Sequence, residues 1–125
     1  MKHSAEYYIE HLEMEPHVEG GYFKECLLEK EERNLWSSIY FMLAKGEVSH
    51  FHRLKSDEVW YYHDGNALTI YMIDEAGKLT AAKLGLDLEK GEVPQVLVPK
   101  GMIFGSAMEE EGFSLVGCMV SPCFK

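Results

Sequence analysis

The sequence predicts an all-β domain, an antiparallel sandwich or barrel led in by one short helix. Three observations carry that expectation. The hydrophobic period changes near Pro16 from a helical spacing to strand-like runs. Past that point come short segments rich in aromatic and β-branched residues. Between them stand turn chemistries, "KGE", "HDGN", "DEAGK", "EKGEVP" and "PKG", most of them built around glycine. Evenly spaced short strands of this kind fit a sandwich or a barrel.

Taken in order, Ser4 can cap a helix whose apolar face is Ala5, Tyr8, Ile9 and Leu12, at i, i+3, i+4 and i+7. Glu6, Glu10 and Glu13 lie off that face, and Pro16 is expected to end the segment. Gly20 and Gly21 enter the first strand, where they permit a backbone conformation closed to other residues. The pair is no phosphate loop, since no helix start follows it. The strand candidates are "YFKECLLE", "LWSSIYFML", "EVSHFHRL", "EVWYYH", "ALTIYMI", "LTAAKLG", "QVLVP" and "FSLVGCMV". There is no internal repeat, low-complexity tract or linker, and 125 residues leave room for one domain. The expected division is 1–16 for helix and lead-in and 20–125 for the barrel.

Composition excludes several classes. At 46% hydrophobic and 12% aromatic the chain is too apolar for disorder. No apolar run reaches the roughly 20 residues of a membrane span. The N-terminal stretch carries charges throughout and has no signal-peptide core, so a cytoplasmic protein is expected, with no membrane partner. A net charge of −9, with Lys and Arg scattered, argues against nucleic acid as a partner. Cys26, Cys118 and Cys123 form no C-x-x-C pair, and they read as reduced thiols used for packing.

The chemistry concentrates in "GEVSHFHRLKSDEVWYYHDG", from Gly46 to Gly65. Strict alternation puts Val48, His50, His52 and Leu54 on one face, with Phe51 and Arg53 on the other. Val48 and Leu54 point the first face inward, where imidazoles need a hydrogen bond, a ligand or a wet cavity. In the next strand Glu58, Trp60 and Tyr62 share a face. A carboxylate turned toward those imidazoles would make a pocket. A structural His–Glu pair is the plainer alternative. His3, His11, His17 and His63 have no partner readable from the sequence, and His63 reads as a turn residue.

The spacing of Gly46, His52, Leu54, Glu58 and Gly65 resembles the first cupin motif, and "VPKGMIF" resembles the Pro-x-Gly core of the second at Pro99 and Gly101. Together with "EPHVEGGYFKE", "SSIYFML", "HRLKSDEVWYYHDG" and "LVGCMVSPCF", these blocks resemble the small single-domain cupins of uncharacterised function. That group is similar in fold to sugar-nucleotide 3,5-epimerases. The resemblance implies a double-stranded β-helix, or jelly-roll barrel, behind the N-terminal helix, and a homodimer. It also leads one to expect an acidic, aromatic continuation after "SPCF". In metal-binding cupins two His and a Glu of the first motif and a His of the second hold the ion. Carried onto this chain, His52 and Glu58 match. The second His position holds Leu54, and the second-motif His, after Gly101, is replaced by Phe104. Leu and Phe have no lone pair to give, so no metal cofactor is expected. The alternative is a compensating divalent site of His50, His52 and Glu58.

A metal-free pocket has two uses. His52 paired with Glu58 can act as a general base, with Tyr40 or Tyr71 returning a proton from the opposite side. That suits an epimerase or isomerase acting on a sugar-like or nucleotide-linked substrate, by fold analogy. Otherwise Phe41, Trp60, Tyr62 and Phe104 wall a non-catalytic binding pocket for a small molecule, polar groups being fixed by His50, His52 and Glu58. Arg53 can pair with an anionic substrate group or with Asp57 in its own turn.

Overall fold

The computed structural model describes residues 2–28 and 35–122, the side chains of 26–28 excepted. The side chains of Cys26 and Cys123 therefore lie outside the described residues. Among the described residues, no helix is long and apolar enough to cross a membrane.

Helix α1 (Ala5–His11) starts at Ser4, whose hydroxyl accepts the Tyr7 N–H at 3.1 Å. It ends earlier than Pro16. Glu13 takes the left-handed conformation, φ 54°, and the Met14 N–H reaches back to the Ile9 carbonyl, a Schellman closure with a non-glycine residue at its turn. Pro16 belongs instead to a two-residue strand, β1 (Glu15–Pro16).

The remaining strands are β2 (Tyr22–Leu28), β3 (Ser37–Ala44), β4 (Val48–Arg53), β5 (Asp57–Gly65), β6 (Leu68–Ile73), β7 (Leu79–Leu84), β8 (Glu92–Val93), β9 (Gln95–Val98), β10 (Ile103–Ala107) and β11 (Phe113–Ser121). They form a six-stranded sheet in the order β1-β2-β3-β11-β5-β9 and a five-stranded sheet in the order β4-β10-β6-β7-β8. Pairing is antiparallel everywhere except between β7 and β8. This is the all-β architecture that the turn spacing predicts, in the jelly-roll form that the family resemblance implies.

Alternation decides which residues fill the barrel. Phe41 and Leu43 from β3, Trp60 from β5 and Val116 and Cys118 from β11 meet Leu68, Ile70, Leu84 and Phe104 of the other sheet in one buried cluster. The opposite face of β3 and β11, with Met42 and Leu115, carries a second cluster under α1, where Tyr8, Ile9 and Leu12 pack. These two strands are therefore covered on both sides, which is why "SSIYFMLA" reads as a near-continuous apolar run.

Two bulges interrupt the alternation. In β4 the span from Ser49 to His52 opposes only Phe104 to Ser106, so one extra residue is accommodated. In β5 Tyr62 and Asp64 face Val116 and Leu115, which leaves His63 as the extra residue. His63 thus sits within the strand rather than in a turn, against Tyr40 on the outer face.

Candidate functional site

The β4 bulge sets the geometry of the site. Ser49 and His52 both turn inward, three residues apart, while Val48 is 45% exposed and His50 faces solvent. The expectation that His50 and His52 share a face is therefore corrected. Their separation crosses the bulge, and the His50 N–H is taken by the Glu19 carbonyl at 2.8 Å. Gly105, opposite the bulge, makes the arrangement sterically feasible. A Cβ there would stand 2.9 Å from the Ser49 carbonyl oxygen. Gly20 serves the same edge, with φ 109° and no room for a Cβ against the Val48 carbonyl.

His52 lines a cavity between the sheets with an inner chamber of about 40 Å³ and an outer one of about 340 Å³. The two chambers share His17, Glu19, Ile39, His52, Glu58 and Cys118. Trp60, Phe41 and Phe104 close the inner chamber, and Phe23, Leu54 and Val120 wall the outer one.

Each polar group is held in a definite state. The His52 Nδ1 lies 2.8 Å from the His50 carbonyl oxygen. A carbonyl only accepts, so Nδ1 carries the proton and Nε2 the lone pair. His17 is the reverse case. Its Nδ1 accepts the Glu19 N–H at 2.9 Å, which puts the proton on Nε2. Burial lowers the His17 pKa against the opposing pull of Glu19, keeping the ring neutral at neutral pH. Glu58 is buried and accepts the Trp60 indole N–H at 2.7 Å. Burial pushes its carboxyl up to about 7, although the indole bond works the other way. Cys118 is a buried free thiol whose pKa is raised by burial and by the neighbouring Glu58, so it is no thiolate nucleophile.

The other sequence candidates fall elsewhere. Tyr40 lies on the outer face of β3 in the cluster under α1. The Tyr71 hydroxyl donates to Glu109. Tyr62 packs against the core and donates to the Gly65 carbonyl without lining the cavity. Arg53 is exposed and makes no ion pair with Asp57, whose carboxylate accepts the Lys100 N–H at 2.8 Å. No tyrosine among the described residues lines the cavity. Sequence reasoning passed over His17, Glu19, Ser49 and Cys118 as wall residues. The signal for His17 is its place just before the Gly20–Gly21 turn, which folds the β1–β2 connection over the barrel mouth.

A two-sheet jelly roll enclosing one cavity, with an imidazole from β4 and a carboxyl from β5 on its wall, defines a cupin barrel. The family described as Cupin superfamily (DUF985) matches residues 6–125, and the chain belongs to it. Protein SO0799 from Shewanella oneidensis is 59% identical, with a TM-score of 0.92 over 98% of this chain and 80% of that one. A hypothetical protein from Leishmania major is 37% identical, with a TM-score of 0.87 over 98% of this chain and 84% of that one. A variant of Bacillus subtilis oxalate decarboxylase shares the fold alone, at 21% identity and a TM-score of 0.66 over 86% of this chain and 26% of that one. A comparison with curated proteins gives no match.

The donors present do not compose the metal site of metal-binding cupins. By the motif resemblance, Leu54 and Phe104 stand at two of its four positions; both line the cavity, and the Phe104 ring stands 4.4 Å from that of His52. His50 faces away, and the described residues contain no group of three or more His, Cys, Asp or Glu placed to share an ion.

Proposed function

We propose that the barrel cavity binds a small ring-bearing organic molecule and that His52 and Glu58 move a proton on it, an isomerase or epimerase type of reaction. The observation that carries this reading is the pairing, in one cavity, of an imidazole with Nε2 unprotonated and a buried carboxyl that holds its proton near neutrality. In the chemistry we propose, His52 Nε2 abstracts a proton next to a carbonyl. The His17 Nε2–H can bond the oxygen on which charge develops, and Glu58 returns a proton to the carbon. This acid takes the role that the sequence assigned to Tyr40 or Tyr71. No cofactor enters the scheme.

Deuterium wash-in tests the proposal on simple carbonyl compounds and does not require the natural substrate. Small cyclic ketones and aldoses are incubated with the protein in D2O and followed by proton NMR. The expected result is loss of α-proton signal with the wild-type chain and none with Glu58→Gln or His52→Ala. Exchange that persists in both variants, or that occurs with no carbonyl compound, contradicts proton transfer by this pair.

Two further expectations belong to the same reading. Self-association into a homodimer is supported by Val48 and Phe51, 45% and 54% exposed on the edge strand β4. A cytoplasmic setting is supported by the unpaired Cys118 thiol.

A further inference from the structure

Given the reading of the cavity as a ligand site, we infer that it selects an organic cation, an ammonium carried on a small ring, over carboxylate, phosphate or nucleotide ligands. The charges on the wall set the sign. Glu19 and Glu25 bring negative charge to the cavity wall, Glu58 adds a third carboxyl that holds its proton near neutrality, and no Lys or Arg among the described residues lines it. Arg53, the cation nearest in sequence to the histidines, is exposed and does not line it. The remaining polar wall is two imidazoles, Ser37 and Ser49, and a thiol.

An anion entering this cavity would leave water for a wall with three carboxyl groups and, among the described residues, no Lys or Arg to receive it. The chain as a whole, at −9, repels it further. A nucleotide-linked substrate, with its diphosphate, is disfavoured on the same ground. A cation meets the opposite field. Glu19, half-buried, and Glu25, exposed, both stand at the outer chamber and can receive an ammonium while part of its hydration remains. Deeper in, Phe41 and Phe104 both meet Trp60 edge-to-face, at 5.8 and 6.3 Å between ring centroids, at the wall of the inner chamber. Aromatic faces attract cations and not anions. Size fits a ring with a short arm, since the outer chamber of about 340 Å³ exceeds the roughly 150 Å³ that encloses benzene. The ring then packs on Ile39 and Leu54, with the ammonium toward Glu19 and Glu25.

The test holds the ring constant and changes only the charge. Benzylammonium, benzyl alcohol and benzoate are titrated into the full chain at millimolar concentration, with binding read from chemical-shift changes at cavity residues. The expected order is benzylammonium first, benzyl alcohol next and benzoate last, with the ammonium ahead of benzoate on the order of tenfold. The double variant Glu19→Gln, Glu25→Gln removes the ammonium's advantage and leaves the alcohol unchanged. Both side chains lie outside the core, and thermal unfolding checks that this variant folds. Benzoate binding as tightly as benzylammonium overturns the cation inference, as does an ammonium preference that survives the double variant. In either case Ile39→Trp, which fills the outer chamber, still abolishes binding, and the ligand site itself stands. If none of the three probes shifts cavity residues, the ligand-site reading falls and this inference with it.

Discussion

Glu58 and Asp64 sit six positions apart on the same strand, each 8% exposed, yet their environments drive them in opposite directions. Glu58 faces the cavity with the Trp60 N–H as its hydrogen-bond donor, and burial carries its carboxyl up to about 7. Asp64 is turned by the β5 bulge to the outer face. Burial pushes its carboxyl up as well, but hydrogen bonds from the Tyr8 hydroxyl at 2.6 Å, the Lys2 N–H and the Gly65 N–H outweigh it. The Asp64 carboxyl ends well below the usual range, and the same bond pushes the Tyr8 phenol up to about 12. Depth in the barrel and the number of donors together decide which carboxyl stays ionised. One carboxyl clamps the helix to the sheet, and the other is left under-bonded where a ligand can reach it.

The comparison is broken most directly at the clamp. Asp64→Ala leaves a half-buried hydroxyl and two N–H groups without their acceptor, and a loss of about 2 kcal/mol in urea unfolding is expected. A change below about 1 kcal/mol would mean that α1 is held by its apolar face alone. Next comes Gly105→Ala, which forces a Cβ against the Ser49 carbonyl at 2.9 Å. It should cost about 2 kcal/mol and turn His52 out of the cavity, visible as a shift of its imidazole resonances.

The pH dependence separates the two carboxyls by sign. Asp64 has a folded pKa below its unfolded one, so its contribution is present above the unfolded value of about 4 and is lost as pH falls from there through the lower folded pKa. Glu58 has a folded pKa above its unfolded one. Its contribution is present at low pH and is lost as pH rises between about 4.5 and 7. Unfolding free energies across these windows should lose the first slope in Asp64→Asn and the second in Glu58→Gln. The smallest effect is on stability at pH 8, where Glu58→Gln should lie within about 1 kcal/mol of wild type or above it. There the substitution removes a poorly bonded buried charge. A large destabilisation would assign Glu58 a structural role instead.

The fold was legible because its signals are local. Glycine turns, short apolar runs and the Ser4-capped helix each depend on neighbours a few residues away. Part of the site was legible for the same reason. Glu58 and Trp60 lie on an uninterrupted stretch of β5, and the alternation rule turns both inward correctly. The rule failed for His50 because β4 absorbs an extra residue before His52, and the cause is Gly105, more than fifty positions away. Tyr40 was undecidable for a different reason. With β3 covered on both faces, an apolar neighbourhood does not tell the barrel side from the helix side. His17 reaches the cavity through a loop whose path depends on the positive φ of Gly20 and Gly21, and no period reports that.

The most direct measurement is a carbon-13 NMR titration of the Glu58 side-chain carboxyl, assigned by Glu58→Gln, with Asp64 as the internal reference. A midpoint near 7 for Glu58, while Asp64 stays ionised down to the acid limit of the fold, is the expected result. A Glu58 midpoint near the ordinary value of about 4.3 would contradict it. That outcome would mean that the cavity carboxyl is solvated or paired, and that it holds no proton to deliver at neutral pH.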